Sequence, residues 1–188
     1  GQQIAGKNTM YSTNDDYVMD VTENPFGSTI EDAGAFFVLK EIARAGSTDI
    51  SLSGSSGAAN RWQTHYPYNG TLYCDQGGTG GSTRLAVAAP FGAGDVVIGG
   101  LYGSTTENVQ EMGYNGDKVI DDTTGHSVAV AGNITIATDS INKLYGEIII
   151  TKGTLSTAEK DLIHGYLAHQ WGLSGNLVSG HAYESSFP

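Results

Sequence analysis

Residues 145–188 decide the fold. They open Tyr145-Gly146-Glu147-Ile148-Ile149-Ile150-Thr151-Lys152-Gly153-Thr154-Leu155-Ser156-Thr157-Ala158-Glu159-Lys160. They continue through Gly165-Tyr166-Leu167-Ala168-His169-Gln170-Trp171-Gly172-Leu173 and close on His181-Ala182-Tyr183-Glu184-Ser185-Ser186-Phe187-Pro188. Ile148 to Ile150 form an apolar run of strand length. Ser156 is a good N-cap, and Glu159 three residues on completes a capping box. Leu162, Ile163, Tyr166 and Leu167 recur at helical spacing and predict one apolar face. Gly172 after Trp171 marks the helix end. The spacing therefore predicts a helix from about Ser156 to Gln170, anchored by Leu162, Tyr166 and Trp171. A helix of this kind covers a sheet and carries no chemistry by itself.

The rest of the chain is strands and turns. Its 188 residues suit one domain with a sizeable core. The 27 glycines are about twice ordinary usage. With Ser, Thr, Asn and Asp they punctuate the chain at the short intervals of an all-β sandwich. Phe36-Phe37-Val38-Leu39 makes the stretch from Ile30 to Arg44 a strand. Phe37, Leu39, Ile134, Ile136, Ile148 and Ile150 are the expected core.

The closing segment resembles that of the concanavalin A-like lectin/glucanase superfamily, in its laminin G-like bacterial and phage branch. The matching residues are Gly146, Leu155, Ser156, Glu159, Gly165, Tyr166, Leu167, Ala168, Trp171, Gly172, Leu173, His181 and Tyr183, with Glu147 in a looser strand match. Weaker echoes are Asn14-Asp15-Asp16-Tyr17-Val18, Phe36 to Leu39, Tyr114-Asn115-Gly116-Asp117-Lys118-Val119 and Ile134-Thr135-Ile136-Ala137. The resemblance implies a jelly-roll β-sandwich of two antiparallel sheets with one C-terminal α-helix. It implies a single domain over residues 1–188, with 172–188 as a tail packed on it. Members of the branch commonly carry a further segment before the Asn-Asp-Tyr strand. Here that strand follows close on Gly1, so the expectation is a processed N-terminus or an edge strand that is absent or supplied by a neighbour.

Charge and composition narrow the partners. The formal net charge is −11, and nine Lys and Arg are scattered without a run. Phosphate contacts need clustered basic residues, so nucleic acid is excluded as an expectation. No apolar run reaches membrane-spanning length, and no signal-peptide pattern opens the sequence. Little charge with much Ser, Thr, Gly and Asn suits an extracellular or virion setting. The single cysteine, Cys74, lies in a short apolar strand and reads as a buried, inert thiol.

Catalytic patterns are missing from the sequence. Glucanases of the superfamily place three carboxylates at alternating positions of one strand, and no such run occurs. Glu107 and Glu111 are expected on one solvated strand face, with no aspartate between them. The glycine loop from Gly77 to Ser82 lacks the Lys-Ser/Thr of a phosphate loop. The histidines show no zinc spacing, His164 and His169 falling on different helix faces. No cofactor is required on this reading.

Two clusters suit binding. Trp62, Gln63, His65, Tyr66, Tyr68 and Asn69 combine aromatic faces for sugar C–H groups with donors and acceptors for hydroxyls. The alternative is that Trp62 and Thr64 point inward while Tyr66 to Asn69 form a hairpin turn. Asp15, Asp16, Asp20, Asp121 and Asp122 offer the hard oxygen ligands that Ca2+ takes, the alternative being solvated turn acids.

The sequence thus points first to a non-catalytic structural or interaction protein of a particle surface: a phage virion decoration, tail or fibre protein, or an extracellular filament subunit. Its partners are other protein subunits in a homo-oligomer or assembly, with glycans as further ligands. A secreted or virion carbohydrate-binding module is the alternative, and a glycoside hydrolase the least supported. One consequence is local. Ser156→Ala removes the N-cap and should cost on the order of 1 kcal/mol in urea or thermal unfolding, with the β-sheet circular dichroism signal retained.

Overall fold

A computed structural model describes residues 3–12, 19–21, 30–43, 50–55, 62–76, 84–122, 134–138 and 142–188. A two-stranded ribbon, β1 (Gln3–Ile4) and β2 (Lys7–Asn8), comes first. It is followed by β3 (Met10–Ser12), β4 (Met19–Val21), β5 (Asp32–Ala43), β6 (Ile50–Ser55), β7 (Trp62–Tyr68), β8 (Thr71–Gln76) and β9 (Arg84–Ala88). Then come β10 (Val96–Ser104), β11 (Val109–Tyr114), β12 (Asp117–Asp122), β13 (Ile134–Thr138), β14 (Asn142–Lys152) and helix α1 (Thr157–Gln170). The first six-stranded sheet runs β12-β11-β10-β5-β14-β3, and the second runs β4-β13-β6-β7-β8-β9. The chain is a jelly-roll β-sandwich of antiparallel sheets with one C-terminal helix.

The apolar run of β5 is explained by two cores. Phe37 and Leu39 face the second sheet and pack with Trp62, Tyr66, Leu72, Cys74, Ile134 and Ile136. Phe36 and Val38 face the other way and pack with Ile98, Leu144, Leu167, Ala168 and Trp171. A strand covered on both faces needs no polar alternation. Ile148 and Ile150 are only half-buried, at the margin of the inter-sheet core. Two turns are cheap because their residues accept positive φ: Asn69-Gly70 at 50° and 77°, and Asn115-Gly116 at 49° and 84°.

The helix cap forms as read. The Ser156 hydroxyl accepts from the Glu159 amide at 3.3 Å, and the Ser156 amide donates to the Glu159 carboxylate at 2.8 Å. The buried face of the helix differs from expectation. Leu162 is 46% exposed, whereas His164, Gly165, Leu167 and Ala168 are buried. The cause is the docking of Trp171 on β14. The strand register breaks between Tyr145 and Ile148, and the Trp171 ring lies flat enough on Gly146 that a Cβ there would come within 2.9 Å of it. The indole N–H donates to Glu147 at 2.9 Å, and the Tyr166 hydroxyl donates to the same carboxylate at 3.1 Å. With Trp171 pinned, the helix is turned so that Leu162 points outward.

Both chain ends pack against α1. Ile4 joins the core beneath the helix, while Lys7 donates to the Gln170 carbonyl and lies over the Trp171 ring. A cation there also suits the negative end of the helix. In the tail, Val178 donates to the Asn115 carbonyl at 3.0 Å, and His169 Nε2 lies 2.8 Å from the Tyr183 carbonyl oxygen. Glu147→Ala should therefore lower stability by about 2–4 kcal/mol, because the buried indole N–H loses a charged acceptor. Red-shifted Trp171 emission in a Trp62→Phe background would report the loosened ring.

Candidate functional site

Alternation along β7 sorts the predicted sugar cluster into two sets. Trp62 and Tyr66 point inward and are fully buried. Tyr66 packs edge-on against Phe37 at 5.0 Å and donates to the Gly113 carbonyl at 2.7 Å. Their rings are core, because a sandwich interior of this width needs large side chains, and neither presents a face to a ligand. Gln63 and His65 point outward, and Asn69 is exposed in the turn beyond Tyr68.

Cross-strand pairing builds the rest of this outer surface. Gln63 is opposite Asp75, His65 is opposite Tyr73, and Asp75 is opposite Arg84. The Gln63 amide nitrogen lies 3.2 Å from His65 Nε2. His65, Tyr68 and Tyr73 form a triangle of rings with centroids 5.8 to 6.1 Å apart. Arg84 grips the buried Asp75 carboxylate with two hydrogen bonds of 2.5 and 2.6 Å and lies 5.0 Å over the Tyr73 ring. The Asp75 hydrogen bond raises the Arg84 pKa against burial, which works to lower it. Asp75, Gln63 and His65 sit deep, while Tyr68, Tyr73 and Arg84 are partly open. Tyr73, Asp75 and Arg84 escaped the sequence reading, which stopped at the hairpin turn. The alternation of β8 and β9 opposite His65 was the available signal.

Of the acidic cluster, only Asp121 and Asp122 have described side chains. Asp15 and Asp16 lie outside the described residues, and Asp20 falls within β4. Asp121 and Asp122 are neighbours on β12 and so point to opposite faces. The Asp121 carboxylate is engaged by Lys118 at 2.6 Å. Glu107 and Glu111 do not share a strand face as expected. Glu107 lies in the turn between β10 and β11, where it accepts from the Tyr102 hydroxyl at 2.6 Å. Glu111 on β11 pairs with Lys160 of the helix at 2.6 Å. Cys74 is buried, and burial pushes its thiol up to about 12, as an inert side chain requires.

A second feature lies on the opposite side of the molecule. A cavity of about 240 Å³ separates α1 from β10 and β11, bordered by Tyr102, Glu111, Lys118, Lys160, Asp161 and His164. Gly100 and Gly113 form its floor, where added Cβ atoms would come within 3.3 and 3.4 Å of the His164 ring. Burial first, then the charges of His181 and Lys160, push the His164 pKa down to about 4.

No protein-family model and no curated protein matches the chain. Solved structures match its fold. The CBM40 domain of the Ruminococcus gnavus IT-sialidase superposes with a TM-score of 0.58 at 12% identity, covering 84% of this chain and 97% of that one. The same domain is known bound to α2,3 sialyllactose. Domain 4 of AbnA, a GH43 extracellular arabinanase from Geobacillus stearothermophilus, in complex with arabinotriose, gives 0.59 at 11% identity, covering 82% and 80%. The heptameric SAP-like pentraxin of Limulus polyphemus gives 0.55 at 12% identity, covering 73% and 71%. The chain thus shares a β-sandwich fold with structural neighbours that include carbohydrate-binding domains. Within the outer surface, Arg84→Met should cost about 1–3 kcal/mol by removing a bidentate partner of a buried carboxylate, measured by urea unfolding.

Proposed function

We propose that this protein is a non-catalytic glycan-binding domain working at an extracellular or particle surface, with the outer face of the second sheet as its binding surface. The observation that carries this reading is the aromatic triangle of His65, Tyr68 and Tyr73 set beside the Arg84–Asp75 pair. Ring faces take the C–H patches of a sugar, and fixed polar groups orient its hydroxyls. The deep pair holds Tyr73 in place before any ligand arrives, which limits the ordering cost of binding. Sugar-bound neighbours of the same fold lend support. The first sheet is unsuited to this role because α1 and the tail cover its outer face.

The same sandwich suits assembly into a larger particle. Strands β3, β12, β4 and β9 end the two sheet orders, and sheet edges are natural places for a neighbouring chain to pair. Glycan binding at the second sheet and subunit contact at an edge are compatible on one domain.

A glycan array probed with the purified chain tests the proposal. We expect retention on a defined set of oligosaccharides, and loss of at least ~10-fold in affinity for Tyr73→Ala, the worth of one well-placed aromatic contact. Asn176→Ala, remote from this surface, should bind like the parent. Absence of binding to any glycan, or undiminished binding by Tyr73→Ala and Tyr68→Ala, would overturn the reading.

A further inference from the structure

The cavity side of α1 gathers three side chains of the types that ligate metals, none of them part of the glycan surface. Asp161 and His164 are three residues apart and share a helix face, and His181 reaches them from the tail. One donor atom from each lies within 4.8 Å of the other two. His164 is 6% exposed, yet both of its ring nitrogens lack a hydrogen-bond partner, and His181 Nε2 is likewise buried without one. A buried polar atom left unmet destabilises the fold. Two imidazoles, each with a buried ring nitrogen unmet and brought together beside the Asp161 carboxylate, suit a cation that takes one nitrogen from each ring.

We propose that Asp161, His164 and His181 form a binding site for a zinc-class divalent cation. Two imidazoles with one carboxylate suit zinc and its first-row neighbours, whereas calcium takes oxygen ligands. His181 Nε2 and Asp161 are already 3.8 Å apart. Tetrahedral zinc with bonds of about 2.0–2.2 Å draws its ligands slightly closer than this. Gly100 and Gly113 let the His164 ring approach the sheet closely, since a Cβ at either would come within 3.3 to 3.4 Å of it. The nearest cation of the helix, Lys160, is countered by Glu111. His181 Nδ1 accepts from the Tyr183 amide at 3.2 Å, so its neutral ring carries the proton on Nε2. Metal at Nε2 moves that proton to Nδ1 and releases the Tyr183 amide. Three protein ligands leave a fourth position, which opens toward the cavity and takes solvent or a small ligand. The bound ion would tie the tail to the helix.

Tag-free protein stripped with EDTA and titrated with ZnCl2 by calorimetry provides the test, with CaCl2 as the control. We expect one Zn2+ per chain, a raised thermal midpoint, no comparable effect of calcium, and a changed His181 tautomer in histidine-selective NMR. His164→Leu should abolish the zinc response. Asp161→Asn, at a partly exposed position that leaves the core untouched, should weaken it ~10-fold or more, since even outer partners of a metal site are worth that much. Failure of the parent protein to bind zinc would overturn the site. So would zinc binding undiminished in Asp161→Asn and His164→Leu.

Discussion

The Glu147 carboxylate is the pivot of this molecule. It accepts from the Trp171 indole and from the Tyr166 hydroxyl, and so holds the C-terminal end of the helix to β14 at two points. Both donors are neutral, so the charge is met by hydrogen bonds and no counter-ion is needed. The break in strand register brings Glu147 to the helix, and the bare Gly146 beside it admits the indole ring. Each feature is useless without the others. A side chain at position 146 would lift Trp171 away, and Glu147 would then face the apolar cluster with nothing to accept from.

Pinning the helix makes the sandwich asymmetric. The outer face of the first sheet becomes a second core of Phe36, Val38, Ile98 and Leu144 under Leu167, Ala168 and Trp171. The second sheet has no such cover among the described elements, and its outward side chains are polar and aromatic. Antiparallel sheets commonly keep one face solvated. Here the outward row of β7 to β9 is nevertheless tightly packed, with Gln63, His65 and Asp75 buried and Tyr68, Tyr73 and Arg84 partly open. The Asp75–Arg84 pair then matters through geometry more than charge. Asp75 is fully buried, and the planar guanidinium that meets it lies over Tyr73 as well.

Much of the framework was legible in the sequence, for local reasons. The capping box, the Asn115-Gly116 hairpin and the strand character of Phe36 to Leu39 all depend on neighbours within a few residues. The orientation of the helix was not legible. Leu162, Ile163, Tyr166 and Leu167 formed a plausible apolar face, but the actual face follows from how Trp171 meets β14, a contact set by a bulge that leaves no mark in hydrophobic periodicity. The aromatic cluster of β7 was legible only in part. The alternative that Trp62 and Thr64 point inward holds, but Tyr66, placed by that alternative in the hairpin turn, is core as well. Tyr73, Asp75 and Arg84 become neighbours of His65 only through cross-strand register. The calcium reading rests partly on Asp15 and Asp16, which lie outside the described residues.

The same turn of the helix that exposes Leu162 places His164 inside, and this links the two halves of the structure. A buried imidazole over a glycine floor is costly as a mere space-filler, since an apolar side chain of similar volume would leave no polar atoms unmet. Its position is forced by Trp171, seven residues further on and therefore on the same face after two turns. Gly116, at the tip of the β11–β12 hairpin, passes so near His181 that a Cβ would come within 2.6 Å of its ring. The hairpin, the helix and the tail therefore close on one point. The left-handed Asn115-Gly116 turn does double service there: it reverses the chain, and its lack of a side chain lets His181 approach Asp161. Hairpin chemistry that looks purely local in the sequence is thus tied to the one place where the tail, the helix and the covered sheet meet.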